Sequence, residues 1–230
     1  MTKIFIDLGH GGKDGGAGGN KILEKDIVLK LGKKMEALLK NYQDTDVMLS
    51  RSSDVFLSLD ARTDKANNWG ADVLCSVHVN SAADVSASGF ETYRYPNANA
   101  GTVAFQNLMH EEIMKAISGS NINDRGKKQE NFHMLRESDM KAILTENLFI
   151  SNSGNAAKLK DDYFLDQLAQ GHVNGFEKFL GLKRIEKPPQ TSPIGKLYYV
   201  QVGAFEDKEN AEALAADLTK EGYRPFIKYE

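Results

Sequence analysis

Cysteine is nearly absent. Cys75 stands alone in 230 residues, which excludes an internal disulfide. It alternates with Val77 and Val79 in "DVLCSVHVN", the pattern of a side chain packed in a core. Proline is scarce too, and three of the five crowd into "LKRIEKPPQTSPIGK". No apolar run approaches the roughly 18 residues needed to cross a bilayer, so no membrane insertion is expected. The opening "MTKIFIDLGH" has no secretory apolar stretch, which predicts synthesis in the cytoplasm without a signal peptide. Neither sign of charge dominates: Lys+Arg 29 against Asp+Glu 32 gives a net charge of -3, with no long block of either. A dedicated nucleic-acid binder with a basic face is therefore not expected.

What is present is an ordinary globular composition, 41% hydrophobic and 9% aromatic, with strands and helices in alternation. "KIFIDL", "TDVMLSR", "DVLCSVHVN", "GFETYRYP" and "AILTENLFISN" read as strands. Between and after them, helical spacing appears from Glu24, through "SLDARTDKANNWGAD", over about 102–117, near "SGNAAKLKD" and through "FLDQLAQGHVNGFEKFLG". The segment "DRGKKQENFHMLRES" reads as polar and irregular. This order predicts an α/β fold: an open, mostly parallel central sheet flanked by helices. The expected boundaries are a catalytic domain at 1–181, a proline-containing linker at 182–196 and a small β-α-β unit at 197–230. A β-α-β piece of that size is too small to bury a core alone.

The densest glycine stretch, "GHGGKDGGAGG", holds a histidine, and two readings compete there. Glycines can cradle a phosphate or clear space around a metal. Neither G-x-x-x-x-G-K-[ST] nor G-x-G-x-x-G is complete, which removes the phosphate reading. In "CSVHVN" period two sets Ser76, His78 and Asn80 on the face opposite Cys75, Val77 and Val79. His10 and His78 lie at or beyond the carboxyl ends of their strands, where open parallel sheets bind ligands. Glu24 opens the first helix, and Glu146 ends the apolar run "AILTE", where an unpaired carboxylate is costly. Two histidines and two glutamates from four segments can thus converge on one edge. Two His and one Glu suit a catalytic zinc, with the other Glu left as general base.

"FIDLGHGG", "LEKDIVL", "LSRSSDVFLSLDARTDKAN", "CSVHVNS" and "LTENLFISN" follow one another as in zinc-dependent N-acetylmuramoyl-L-alanine amidases of the amidase-3 type. The resemblance spans about residues 3–180 and is strongest to sporulation-associated lytic amidases and phage endolysins. It implies peptidoglycan as substrate and hydrolysis of the amide joining N-acetylmuramic acid to L-alanine. It implies Zn2+ on His10, Glu24 and His78, with Glu146 as the catalytic residue. The glycines around His10 then read as backbone freedom that admits a bulky glycan-peptide. Two positions depart from the family pattern: Leu8 stands for a proline, and Leu148 for a glycine two residues beyond the catalytic glutamate. Two alternatives remain open here: an impaired, wall-binding relative, and a zinc peptidase acting on another wall bond.

Asn80 is a candidate to orient a ligating histidine, and His133 and Arg136 are candidates to touch substrate. His110 reads as helix surface and His172 as packing or capping. The C-terminal "YYVQVGAFEDKENAEALAADLTKEGYRPFIKYE" resembles one half of a sporulation-related (SPOR) peptidoglycan-binding repeat. A single half predicts either glycan binding or a homodimer formed with the same unit of another chain. Action on the cell wall would follow lysis or passage through a pore.

Overall fold

The computed structural model describes residues 1–185, 201–223 and 225–228. Residues 1–185 form one compact unit and 186–230 a second. In the first, the elements in chain order are β1 (Thr2–Leu8), β2 (Gly18–Gly19), β3 (Ile22–Leu23), α1 (Glu24–Leu39), β4 (Thr45–Leu49), α2 (Leu59–Trp69) and β5 (Val73–Asn80). There follow β6 (Phe90–Arg94), α3 (Ala100–Ala116), β7 (Asp124–Gln129), α4 (His133–Arg136), β8 (Lys141–Phe149), α5 (Ser153–Lys160) and α6 (Asp162–Leu180). Six strands make one sheet in the order β4-β1-β5-β8-β6-β7. All its neighbours are parallel except β6 and β8, which run antiparallel. The expected α/β architecture is the one found.

Period-two alternation divides the sheet between two cores. On one face Ile4, Ile6, Leu8, Cys75, Val77 and Ile143 meet the apolar stripes of α1, α3 and α6. On the other, Phe5, Leu74, Ala142 and Leu144 meet Ala66 of α2 and Met134 and Leu135 of α4. The second core is smaller and stops short of the carboxyl edge. There the same face carries Asp7, Ser76, His78, Glu146 and Glu91.

One expected irregular segment is ordered. Asp124–Gln129 is an edge strand, parallel to β6, and His133–Arg136 is a short helix. The strand is polar along its length because it pairs on one side only and buries little, so it lacks the apolar alternation that marks an inner strand. His110 is not on the surface. It is buried, with Nδ1 3.0 Å from Thr92 Oγ1 and Nε2 2.8 Å from Asp124 Oδ1, and it ties α3 to β6 and β7.

In the second unit, α7 (Lys208–Lys220) is the expected helix, begun by Asp207 accepting from the Glu209 N–H. Of the flanking strands expected there, the described residues 201–205 and 225–228 cover only part, and no strand is assigned to them. The rest of those expected strands, and the linker from residue 186, lie outside the described residues.

Candidate active site

β1 ends at Leu8 and the chain turns at once. Leu8 accommodates the position where the family pattern has proline, since its N–H donates to Ser50 Oγ at 2.9 Å and its side chain is fully buried. His10 follows in the left-handed region, with φ at 60°, a conformation that non-glycine residues adopt only when held. Two arginines from other segments hold it. Arg62 of α2 donates to Leu8 O at 2.5 Å and His10 O at 2.6 Å, and its charge is met by buried Asp7 at 2.8 Å. Arg51 donates to Leu8 O, Gly9 O and Lys25 O at 2.8–3.1 Å. Arg62 and Asp7 lie in one buried ion pair, and the guanidinium keeps the Asp7 pKa low against the opposing effect of burial.

His10, Glu24 and His78 meet. One donor atom from each lies within 4.8 Å of the others. His10 Nε2 is 3.2 Å from Glu24 Oε2, and His78 Nδ1 is 2.9 Å from Glu24 Oε1. Asp14 Oδ2 sits 2.9 Å from His10 Nδ1, which fixes the ring and leaves Nε2 for the cluster. Glu24 is buried, and each of its oxygens also accepts a backbone N–H: Val79 at 3.0 Å and Ala17 at 2.8 Å. The glycines serve this packing. A Cβ on Gly9 would lie 2.4 Å from the His78 ring, and one on Gly16 2.5 Å from His10. At these two positions the missing side chain makes room for the protein's own ligand set, which corrects the reading that glycine is there to admit substrate.

The donor set fits zinc. Two imidazoles and a carboxylate are suitable ligands, and a tetrahedral ion with bonds near 2.0–2.2 Å sets its ligand atoms roughly 3.3 Å apart, close to the distances from Glu24 to each histidine. The hydrogen bond to Glu24 raises the His10 pKa to about 9 against the effect of burial. Burial pushes His78 down, but Glu24 and the charge of Glu146 outweigh it and leave it raised. Burial also opposes the charge of Glu24, yet its histidine partners hold its pKa far below the carboxylate range.

Glu146 is the register partner of His78 on the adjoining strand, so both side chains leave the same face. Its Oε2 is buried without a hydrogen-bond partner. Burial, reinforced by the charges of Glu24 and Glu91, pushes its pKa up to about 8. Immediately beyond it the β5–β8 register slips between His78 and Asn80. The bulge contains Leu148, at φ 71° and fully buried in the larger core. A family glycine suits that backbone, and the leucine side chain points into the core and cannot narrow the mouth.

Residues 4–178 match the family model for N-acetylmuramoyl-L-alanine amidase. The chain belongs to that family. Residues 194–230 match the SPOR domain. A sporulation-specific N-acetylmuramoyl-L-alanine amidase of Bacillus subtilis is 46% identical over 228 residues, 99% of this chain and 84% of the relative. The endolysin of Bacillus phage SPP1 is 46% identical over 187 residues, 80% of this chain and 68% of the phage protein. Among solved structures, the catalytic domain of CwlV from Bacillus (Paenibacillus) polymyxa var. colistinus superposes with a TM-score of 0.75 at 38% identity. It covers 80% of this chain and 100% of that one.

The remaining candidates sit apart from the amidase cluster. Asn80 donates to Glu91 at 2.7 Å and to neither histidine, so orienting His10 falls to Asp14. His133 Nε2 lies 3.4 Å from both Thr63 Oγ1 and Asp60 Oδ1 of α2. Arg136 is taken up by Glu137 at 2.6 Å and Asn131 at 2.8 Å. His172 is buried, as a packed residue should be: its Nδ1 bonds to Leu168 O, so its Nε2 accepts from Thr145 Oγ1 at 3.1 Å. Sequence reasoning missed Asp14, Arg51 and Arg62. Asp14 was signalled by its place four residues past His10, and the arginines lay within a quoted motif without an assigned role.

Proposed function

We propose that this chain hydrolyses the amide between N-acetylmuramic acid and L-alanine in peptidoglycan, using zinc held by His10, Glu24 and His78 and proton transfer by Glu146. The observation that carries this reading is the convergence of those three donors beside a carboxylate left without a hydrogen bond, in a chain of the amidase family. When bound, the zinc supplies Lewis acidity to the scissile carbonyl and acidifies water. Asp14 keeps His10 Nε2 directed at the site, and the two backbone N–H groups fix the Glu24 carboxylate in place. The Oε2 atom of Glu146 is free to take the proton of the attacking water and return it to the departing alanine nitrogen. No serine or cysteine nucleophile is needed, which agrees with the inert, buried Cys75.

Product analysis tests this directly. Intact stem peptides freed from purified glycan, and their disappearance after chelation, are the expected result. Release of single amino acids would point to a peptidase and overturn the amidase reading.

Residues 1–181 are proposed as the catalytic domain, 182–196 as a linker and 197–230 as a SPOR half repeat. Val202, Phe205, Tyr223 and Ile227 of the last are 45–65% exposed, which supports completion of the unit by the same unit of another chain. A homodimer by light scattering at micromolar concentration is expected, and a strict monomer would remove that assignment. No helix among the described residues is long and apolar enough to cross a membrane, and membership of the amidase family supports action at the cell wall.

A further inference from the structure

One charged cluster beside the site has no part in the reaction so far. Glu91 on β6 is the register partner of Glu146 on β8, so the two carboxylates leave the same face of adjacent strands. Glu91 is 2% exposed. Its Oε1 accepts from Asn80 Nδ2 at 2.7 Å and Tyr93 Oη at 2.8 Å. Its Oε2 accepts from Arg125 Nε at 2.7 Å and Lys128 Nζ at 2.5 Å. One buried carboxylate therefore faces two cations from β7, and the cluster keeps a net positive charge.

A staple joining β7 to β6 would be complete with a single cation. Arg125 is fixed more closely than a staple requires. Its Nε is on Glu91 and its guanidinium carbon lies 4.7 Å from the centre of the Phe149 ring. Nη1 and Nη2 make no hydrogen bond among the described residues, and 36% of the side chain is open to solvent. A guanidinium held in plane, with its terminal fork unused, is preorganised for bidentate binding of a carboxylate.

We propose that Arg125, with Lys128 beside it, binds a free carboxylate on the peptide side of the scissile amide. The proposal rests on the amidase reading of the site and names a substrate group that this site selects. β7 and β8 are separated by β6, so about 10 Å lies between the strand bearing Glu146 and the strand bearing Arg125. A peptide advances roughly 3.3–3.6 Å per residue, which puts the bound carboxylate within the first two or three residues of the stem. The α-carboxylate left free by a γ-linked glutamate in second position has that reach.

The test compares N-acetylmuramoyl-L-alanyl-γ-D-glutamyl-lysinamide, whose peptide has the glutamate α-carboxylate as its one free carboxylate, with its isoglutaminyl counterpart, in which that carboxylate is an amide. The zinc-loaded full chain is expected to favour the free acid by about tenfold, through KM with little change in kcat. Arg125→Gln should abolish the preference by raising KM for the acid alone, and Arg125→Lys should restore part of it. A staple would weaken both probes equally. Equal KM for both probes in the unaltered chain, or a preference that survives Arg125→Gln, overturns the proposal. Calorimetry on the Glu146→Gln chain reads the same preference without turnover. A carboxylate preference there, with no cleavage by the unaltered chain, would count against the amidase reading and for the Arg125 site.

Discussion

Glu24 and Glu146 stand in one cluster, the first buried and the second half-buried with Oε2 shielded from water, and are held in opposite states. Glu24 sits at the first residue of α1, where the helix N-terminus favours a negative charge, and its oxygens receive two backbone N–H groups and two imidazoles. Its pKa is driven down. Glu146 sits near the end of a strand with one oxygen bonded to nothing, and its pKa is pushed up to about 8. Burial opposes the charge in both places, so burial does not decide. The supply of donors does. In the proposed mechanism one half of the site would hold a cation, and the other would keep a carboxyl group that exchanges its proton.

Swapping out one member of each half breaks the comparison with the largest effect. Glu146→Gln should lower kcat by about 10²–10⁴-fold and leave zinc content at one per chain, because no ligand is touched. His78→Ala should lose zinc and activity together. Metal analysis beside turnover checks both, and equal zinc loss in the two variants would show that the halves are not distinct.

The cation-holding half depends on its outer partners. Arg62→Lys keeps a positive charge for Asp7 but cannot reach both Leu8 O and His10 O with a fork, so the strained His10 turn loses its clamp. Zinc affinity should fall by roughly 10–100-fold, measured by competition with a chelator, while the circular dichroism spectrum is unchanged. Unaltered affinity would show that the loop holds its own conformation.

The proton-holding half is read in the metal-free protein. The folded pKa of Glu146, about 8, stands above its ordinary value of 4.5, so its contribution to stability is full below pH 4.5 and is lost as pH rises toward 8. Glu146→Gln cannot ionise. The stability of this variant relative to the parent should climb by a few kcal/mol across that window, each pKa unit being worth about 1.4 kcal/mol. Urea denaturation at pH 4.5 and pH 8.5 measures it, and a difference that does not change with pH would mean Glu146 is solvated.

The central strands and long helices were legible because each carries a full apolar period, and the meeting of His10, Glu24 and His78 because His10 lies just past a buried strand, Glu24 opens the first helix and His78 stands near the end of a second strand. β7 was not legible. Its residues DRGKKQ answer to Glu91 and to solvent rather than to a core, so no alternation marks them. Asp14 had a signal in its place four residues past His10 but lay among glycines, and the part of Arg51 and Arg62 could not be seen because, the Asp7 pair aside, what they bind is backbone carbonyl. In the C-terminal unit α7 was legible from its helical spacing, and the strands expected on either side of it fall partly outside the described residues.

Leu148 sharpens the comparison with the smallest effect on activity, because it lies between the two halves and serves neither. At φ 71° a leucine carries about 1–3 kcal/mol of backbone strain, which glycine would relieve. The same side chain is fully buried in the core, and truncating a buried leucine costs about 2–5 kcal/mol. Packing outweighs strain, so Leu148→Gly should lower stability in urea modestly and leave kcat/KM unchanged. The bulge itself is held from Asn147, whose amide donates to His78 O and Thr145 Oγ1 at 3.0 Å and is unaffected by the substitution. A rise in kcat/KM in Leu148→Gly would mean that the leucine, and not the donor supply around Glu146, limits the site.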